Sequence, residues 1–326
     1  MNGWLKRLLV AFFTLPAAWG LLHLLRGGME VPPPMWTEAD LIALPDATDN
    51  AWVTIGPSDS LPWMETKGKD LAPTGPYVAA QLARPEVVEL LQGAPTVLAS
   101  GKYADPNAWD LDKRDSLRLS LWHWWIAMDV AAAAHDQPEA VGRRLASLFS
   151  LSVNCANEAR TVDDYRLCVE LARRDLELMR DLVESTAGDE SRVADTLIAA
   201  LRETPPLSDE NAIKGQYVEV YRLMTFCIDG QGWMVRVGSR LGMDLRATFT
   251  ALDESFLGTS EDRCARLGEW RERNAFRRAF GYNWFGETLL ATASTSDCYN
   301  YPSLRTQEQF VTDERQTLLT ELKKLR

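Results

Sequence analysis

Residues Pro138–Val183 read PEAVGRRLASLFSLSVNCANEARTVDDYRLCVELARRDLELMRDLV. Two helical stripes and one turn are written there. Pro138 suits a helix first turn, where its missing N–H costs nothing and its φ is preset. Val141, Leu145, Leu148, Ser152 and Cys155 then recur at the spacing of one helix face. Asn157–Thr161 interrupts the pattern as a turn. Thr161 with Asp164 has the form of a capping box with Asp in place of Glu. A second stripe follows: Tyr165, Cys168, Ala172, Leu176, Met179 and Val183. Helices joined by so short a turn run antiparallel, so the stretch is a helical hairpin.

The same periodicity extends outward. Asp112–Ala134 places Leu117, Leu121, Trp124, Trp125, Met128 and Ala132 on one face, which the spacing assigns to the core. Asp189 caps a short helix bearing Val193, Leu197 and Leu201, ended by Pro205-Pro206. Ser208 opens the next, with Ile213, Tyr217, Val220, Met224 and Cys227 in register. Further helices are expected near 233–246, 261–279, 284–293 and 306–325. The fold class is therefore all-α: antiparallel helical hairpins stacked into a bundle or an irregular solenoid-like body. No self-similarity recurs at the roughly 34-residue period of a tetratricopeptide array.

Upstream the pattern changes. Lys6 and Arg7 precede Leu8–Leu25, a run without a formal charge, and Arg26 closes it. At 1.5 Å per residue this run reaches about 27 Å, close to a bilayer core of roughly 30 Å. The cations favour a cytoplasmic N-terminus. The expected location is a bacterial inner membrane crossed once, with the C-terminal body in the periplasm. The alternative is a signal peptide cut after Gly20, which would release the body into the periplasm. Val31-Pro32-Pro33-Pro34 reads as a stiff extended spacer. Residues 45–76 are dense in Pro and Gly, with Ala51–Ile55 at most a short strand. Three regions result: an anchor over 1–26, a spacer and irregular segment over 27–76, and one helical periplasmic domain over 77–326.

The chain carries 35 basic and 46 acidic side chains, a net charge of −11. Three of the cations belong to the N-terminal run, so the body is more acidic still. Phosphate neutralisation dominates nucleic-acid affinity, which excludes that partner class. A hydrophobic content of 46% with 12 tryptophans demands a packed core. The five cysteines, Cys155, Cys168, Cys227, Cys264 and Cys298, show no C-x-x-C spacing. Cys155 and Cys168 flank the Asn157–Thr161 turn, each about two helical turns from its tip, and are the best disulfide pair. Cys264–Cys298 is a weaker pairing that leaves Cys227 free; small buried hydrophobes are the alternative for all five.

Two segments carry a resemblance. Asn50-Ala51-Trp52-Val53-Thr54-Ile55-Gly56 follows the spacer, and Tyr282-Asn283-Trp284-Phe285-Gly286-Glu287-Thr288-Leu289-Leu290 precedes the C-terminal helix. With a basic N-terminus, one spanning helix and a Cys-containing helical body, this layout resembles single-pass bacterial envelope proteins of unknown function. Those carry Asn-Ala-aromatic-x-x-x-Gly after the anchor and Asn-Pro-x-Gly-x-x-Leu-Leu near the end; Trp284 stands where that pattern has proline. The resemblance implies architecture and location, and no chemistry.

Candidate chemistry is sparse. His123 and His135 lie about 18 Å apart if on one helix, too far to share a metal. His123 is expected to be a hydrogen-bonded structural histidine. Trp122, Trp124 and Trp125 offer either a stacking platform for sugar or peptide or, better, core packing. Leu252-Asp253-Glu254-Ser255-Phe256 is similar to the Glu-Ser pair around the catalytic acid of lytic transglycosylases, without their glycine-rich substrate motif. Arg271, Arg273, Arg277 and Arg278 form a partner-contact patch or a solvated helix face. No phosphate loop, G-x-S-x-G or H-E-x-x-H occurs. No metal or cofactor is expected. The expectation is a membrane-tethered helical protein making protein–protein contacts with envelope partners, with no catalytic activity inferred. The alternative is a periplasmic glycan-acting enzyme using a buried carboxylate such as Glu254.

Overall fold

The computed structural model describes residues 31–66, 71–109, 117–134, 136–185, 190–230, 243–258 and 301–325, with isolated residues between them. Ten α-helices and no strand lie among the described residues, so the fold is all-α. They are α1 (Ala51–Ile55), α2 (Pro76–Leu82), α3 (Pro85–Ser100), α4 (Leu117–Ala133), α5 (Pro138–Glu158), α6 (Val162–Ser185), α7 (Glu190–Glu203), α8 (Glu210–Thr225), α9 (Leu245–Phe256) and α10 (Tyr301–Lys324). Among the described residues no helix is long and apolar enough to cross a membrane. The expected anchor Leu8–Leu25 lies outside them, Thr14 and Leu21 excepted.

The chain divides into two compact units, each discontinuous in sequence: Leu41–Gln216 with Ser303–Arg326, and Met1–Asp40 with Tyr217–Pro302. The expected linear regions 27–76 and 77–326 do not follow this division, because residues 41–66 supply core to the larger unit. Leu41, Ala51, Ile55 and Met64 are all buried.

In the larger unit α5 and α6 form the central hairpin. Pro138 occupies the α5 first turn. The Thr161 half of the expected capping box is seen, with Thr161 Oγ1 accepting from the Asp164 N–H at 3.1 Å; the Thr161 hydroxyl also donates to Asp164 Oδ2 at 2.8 Å. The stripe Val141, Leu145, Leu148, Ser152 and Cys155 is buried, as are Tyr165, Cys168, Ala172, Leu176 and Met179. A disulfide joins Cys155 and Cys168 across the turn, with Cα atoms 5.8 Å apart. Cys227 is free; Cys264 and Cys298 lie outside the described residues.

The start of α8 closes the hairpin turn. Asn211 Nδ2 donates to the carbonyls of Glu158 (3.0 Å) and Ala159 (2.9 Å), which end α5, while its Oδ1 accepts from the Ile42 N–H at 2.8 Å. These are carbonyls a helix end leaves without intrahelical partners. Gly215 permits the approach: a Cβ there would overlap the Arg160 carbonyl oxygen. Arg315 of α10 does the same for α7, donating to the carbonyls of Leu201 (2.8 Å), Pro205 (3.1 Å) and Thr204. The α10 residues Leu304, Val311, Leu318 and Leu322 are buried beside it.

Two expectations need correction here. Ala51–Ile55 is a helix, not a strand. Asn50 is its N-cap, accepting from Trp52 N at 3.0 Å, while Asn50 Nδ2 donates to the Ala104 carbonyl at 2.8 Å. Gly56 ends it at φ +75°, a conformation that favours glycine. The second correction concerns α4. Its buried face is Leu119, Trp122, His123, Trp125, Ile126 and Val130, so Trp125 is core as expected, whereas Leu117 is 60% exposed and Leu121, Trp124 and Met128 are half-buried. A helix apolar on nearly every side carries no single periodic answer.

In the smaller unit the expected spacer is held down. Tyr221 donates to the Pro32 carbonyl at 2.5 Å, and Tyr217 accepts from the Met35 N–H at 2.7 Å. Arg222 pairs with Glu38. Trp36 meets Tyr217 edge-on, and so does Phe256 of α9, each with ring centroids 5.4 Å apart. A proline-rich stretch therefore ends as a packed strap, because α8 offers phenol groups to carbonyls and amides that no helix satisfies.

Candidate functional site

The side chains that α4 leaves outside its core form one wall of a groove in the larger unit. α6 forms the facing wall, segment 62–66 closes one end and α10 the other. The wider lobe holds about 960 Å³ and is lined by Leu117, Asp163, Arg166, Arg173, Gln307 and Phe310 among others. A second lobe of about 340 Å³ is lined chiefly by Trp63, Met64, Leu121, Trp124, Leu171 and Arg174. Ser120, Leu167 and Glu170 border both lobes, so the two lie side by side.

The apolar lobe is pre-formed. Trp125 Nε1 donates to the Pro62 carbonyl at 2.8 Å, and Arg84 donates to the Trp63 carbonyl at 2.8 Å. Met64 is buried against Val87 and Trp125. The backbone is thus pinned on both sides of Trp63, yet its side chain is 70% exposed. Burying an indole is worth more than about 1 kcal/mol, and here one stands exposed beside a half-buried Trp124 on a pinned backbone.

The polar lobe is organised by Glu170. Arg173 grips it with two parallel bonds, Nη2 to Oε1 at 2.9 Å and Nε to Oε2 at 3.1 Å. Arg174 Nε adds a bond at 3.2 Å and Gln307 Nε2 one at 3.4 Å. The Arg173 hydrogen bond, foremost, holds the Glu170 carboxyl below its usual range. Arg173 also bonds Glu177 at 2.5 Å and lies 5.9 Å from the Phe310 ring centre. Arg166 is exposed, with no hydrogen-bond or ion-pair partner among the described residues.

His123 and Asp175 meet deep beneath this groove. His123 Nε2 lies 2.7 Å from Asp175 Oδ1, and Ser152 Oγ donates to Asp175 Oδ2 at 2.7 Å. All three are buried. Ser, His and Asp match a hydrolase triad by residue type, but the roles are wrong: the hydroxyl donates to the carboxylate, so no imidazole base receives its proton. The cluster is a satisfied core network. His123 is structural, as its surroundings in the sequence imply; Asp175 was missed because it lies 52 residues away on another helix.

The other expected positions disperse. Trp122 and Trp125 are core, while Trp124 lines the groove. Glu254 is exposed on α9, so the expectation of a buried carboxylate there is corrected; α9 turns Leu252, Ser255 and Phe256 inward instead. Its neighbour Asp253 is the perturbed acid. It accepts from Tyr217 at 2.6 Å, and burial pushes its carboxyl up. Burial, with Asp253 adding to it, raises the Tyr217 phenol as well. Arg271, Arg273, Arg277, Arg278 and His135 lie outside the described residues. Among the described residues no group of three or more His, Cys, Asp or Glu could hold a metal ion.

The two motif asparagines brace helices. Asn50 caps α1. Asn283 Oδ1 accepts from Asp244 N at 2.8 Å, and its Nδ2 donates to Thr248 Oγ1 at 2.8 Å at the start of α9. No known family, curated protein or solved structure matches the chain.

Proposed function

We propose that the protein is a membrane-tethered helical contact protein of the bacterial envelope, holding a partner protein in the groove between α4 and α6. The pinned, 70% exposed Trp63 at the end of that groove carries the reading. Interfaces are enriched in tryptophan and arginine, and both line this groove. The location rests on the charge-flanked run Leu8–Leu25 and on the resemblance of the layout to single-pass envelope proteins. The Cys155–Cys168 disulfide favours an oxidising compartment such as the periplasm.

In-cell photo-crosslinking tests this. A photoreactive phenylalanine analogue at position 63 of the intact chain is expected to capture a discrete envelope protein. The same analogue at exposed Glu321 on α10 is expected to capture none. Equal patterns from both positions, at native expression, overturn the proposal. The purified protein is also expected not to digest peptidoglycan. Release of fragments that Glu254→Gln abolishes would replace this reading with a glycan-acting enzyme.

A further inference from the structure

The groove specifies what kind of protein segment fits it. We infer that it binds an acidic peptide segment, with a bulky apolar side chain against Trp63 and Trp124 and carboxylates on Arg166 and Arg174. This inference rests on the contact reading above and names the chemistry of the partner.

Charge is the first argument. On a chain of net −11, the groove is lined by Arg166, Arg173 and Arg174 against Asp163 and Glu170. Glu170 is saturated by both flanking arginines and Gln307, so it offers an incoming ligand little. Arg173 is committed to Glu170 and Glu177. Arg166 keeps its whole guanidinium fork for a ligand, and Arg174 uses only its Nε. Arginine forks match carboxylates in a bidentate way.

Spacing is the second argument. Arg166 and Arg174 are eight residues apart on α6, about 12 Å along the axis. An extended ligand covers that distance in three or four residues.

A random dodecapeptide library displayed on phage, selected on the full chain in detergent micelles, tests this. Enriched peptides are expected to combine one large apolar residue with acidic residues three or four apart. A selected peptide is expected to bind Arg166→Glu and Trp63→Ala about tenfold or more weakly. Both positions are exposed, and unchanged thermal unfolding verifies that the variants fold. A basic or uncharged consensus overturns the inference while leaving the contact reading standing. Failure of any peptide to enrich, with chito-oligosaccharide quenching tryptophan fluorescence in wild type but not Trp63→Ala, overturns both.

Discussion

At the residue scale the costliest position is Asp175, which is fully buried and shared by His123 and Ser152. Removing it leaves two buried donors facing no acceptor. Asp175→Ala is therefore expected to destabilise the protein by about 3 kcal/mol in urea denaturation, against about 1 kcal/mol for Ser152→Ala. Equal, small losses for both would mean that the network is already open to water. Gly215 is demanding for a steric reason. A methyl group driven into the Arg160 carbonyl forces α8 off the hairpin turn and strains the Asn211 bonds beside it. Gly215→Ala is expected to cost about 2 kcal/mol or more by the same measurement, whereas helix propensity alone predicts a gain of up to about 1 kcal/mol. A measured gain would show that the close approach is not kept in solution.

At the element scale α6 does two jobs, core on one face and groove wall on the other, and Glu170 links them. Its lowered carboxyl stabilises the folded state above the ordinary carboxylate range; this contribution is lost as pH falls through the depressed folded value. Asp253 acts in the opposite sense. Its raised carboxyl favours folding at low pH, and that contribution is lost as pH rises through the raised folded value. Glu170→Gln should thus flatten the acid limb of a stability-versus-pH curve without moving its neutral end upward. An acid limb of unchanged slope would exclude Glu170 as its source. The α5–α6 hairpin and its disulfide were legible in the sequence because stripe, cap and turn all lie within about 45 residues of each other. The α4 face was not. Leu117, Leu121 and Trp124 satisfy a helical period as well as Leu119, Trp122 and Ile126 do, and only contacts from α6 and residues 62–66 decide between them. The groove was illegible for the same reason: Pro62 and Trp125 are 63 residues apart, and no local pattern announces that they meet.

At the scale of the whole molecule the strap at residues 32–38 bears on how the proposed tether would hold the smaller unit. A free proline spacer would set its length by its own stiffness. Instead Pro32 is bound by Tyr221, Met35 by Tyr217 and Glu38 by Arg222. If Leu8–Leu25 spans the bilayer, five residues lie between Arg26 and Pro32, and the six Cα–Cα steps reach about 22 Å at full extension. The start of the strap must then lie within that distance of the membrane surface, and α8 with it at Tyr221. A fluorophore at position 38 of the reconstituted full chain is accordingly expected to transfer energy efficiently to an acceptor lipid. Tyr217→Phe combined with Tyr221→Phe removes the hydroxyls that bind residues 32 and 35. The double variant should speed amide exchange at Met35 and broaden the donor–acceptor distance distribution, because the released chain no longer fixes the label. Efficient transfer with a narrow distribution in both proteins would show that something other than the two phenols holds the strap. No transfer in wild type would remove the tether itself.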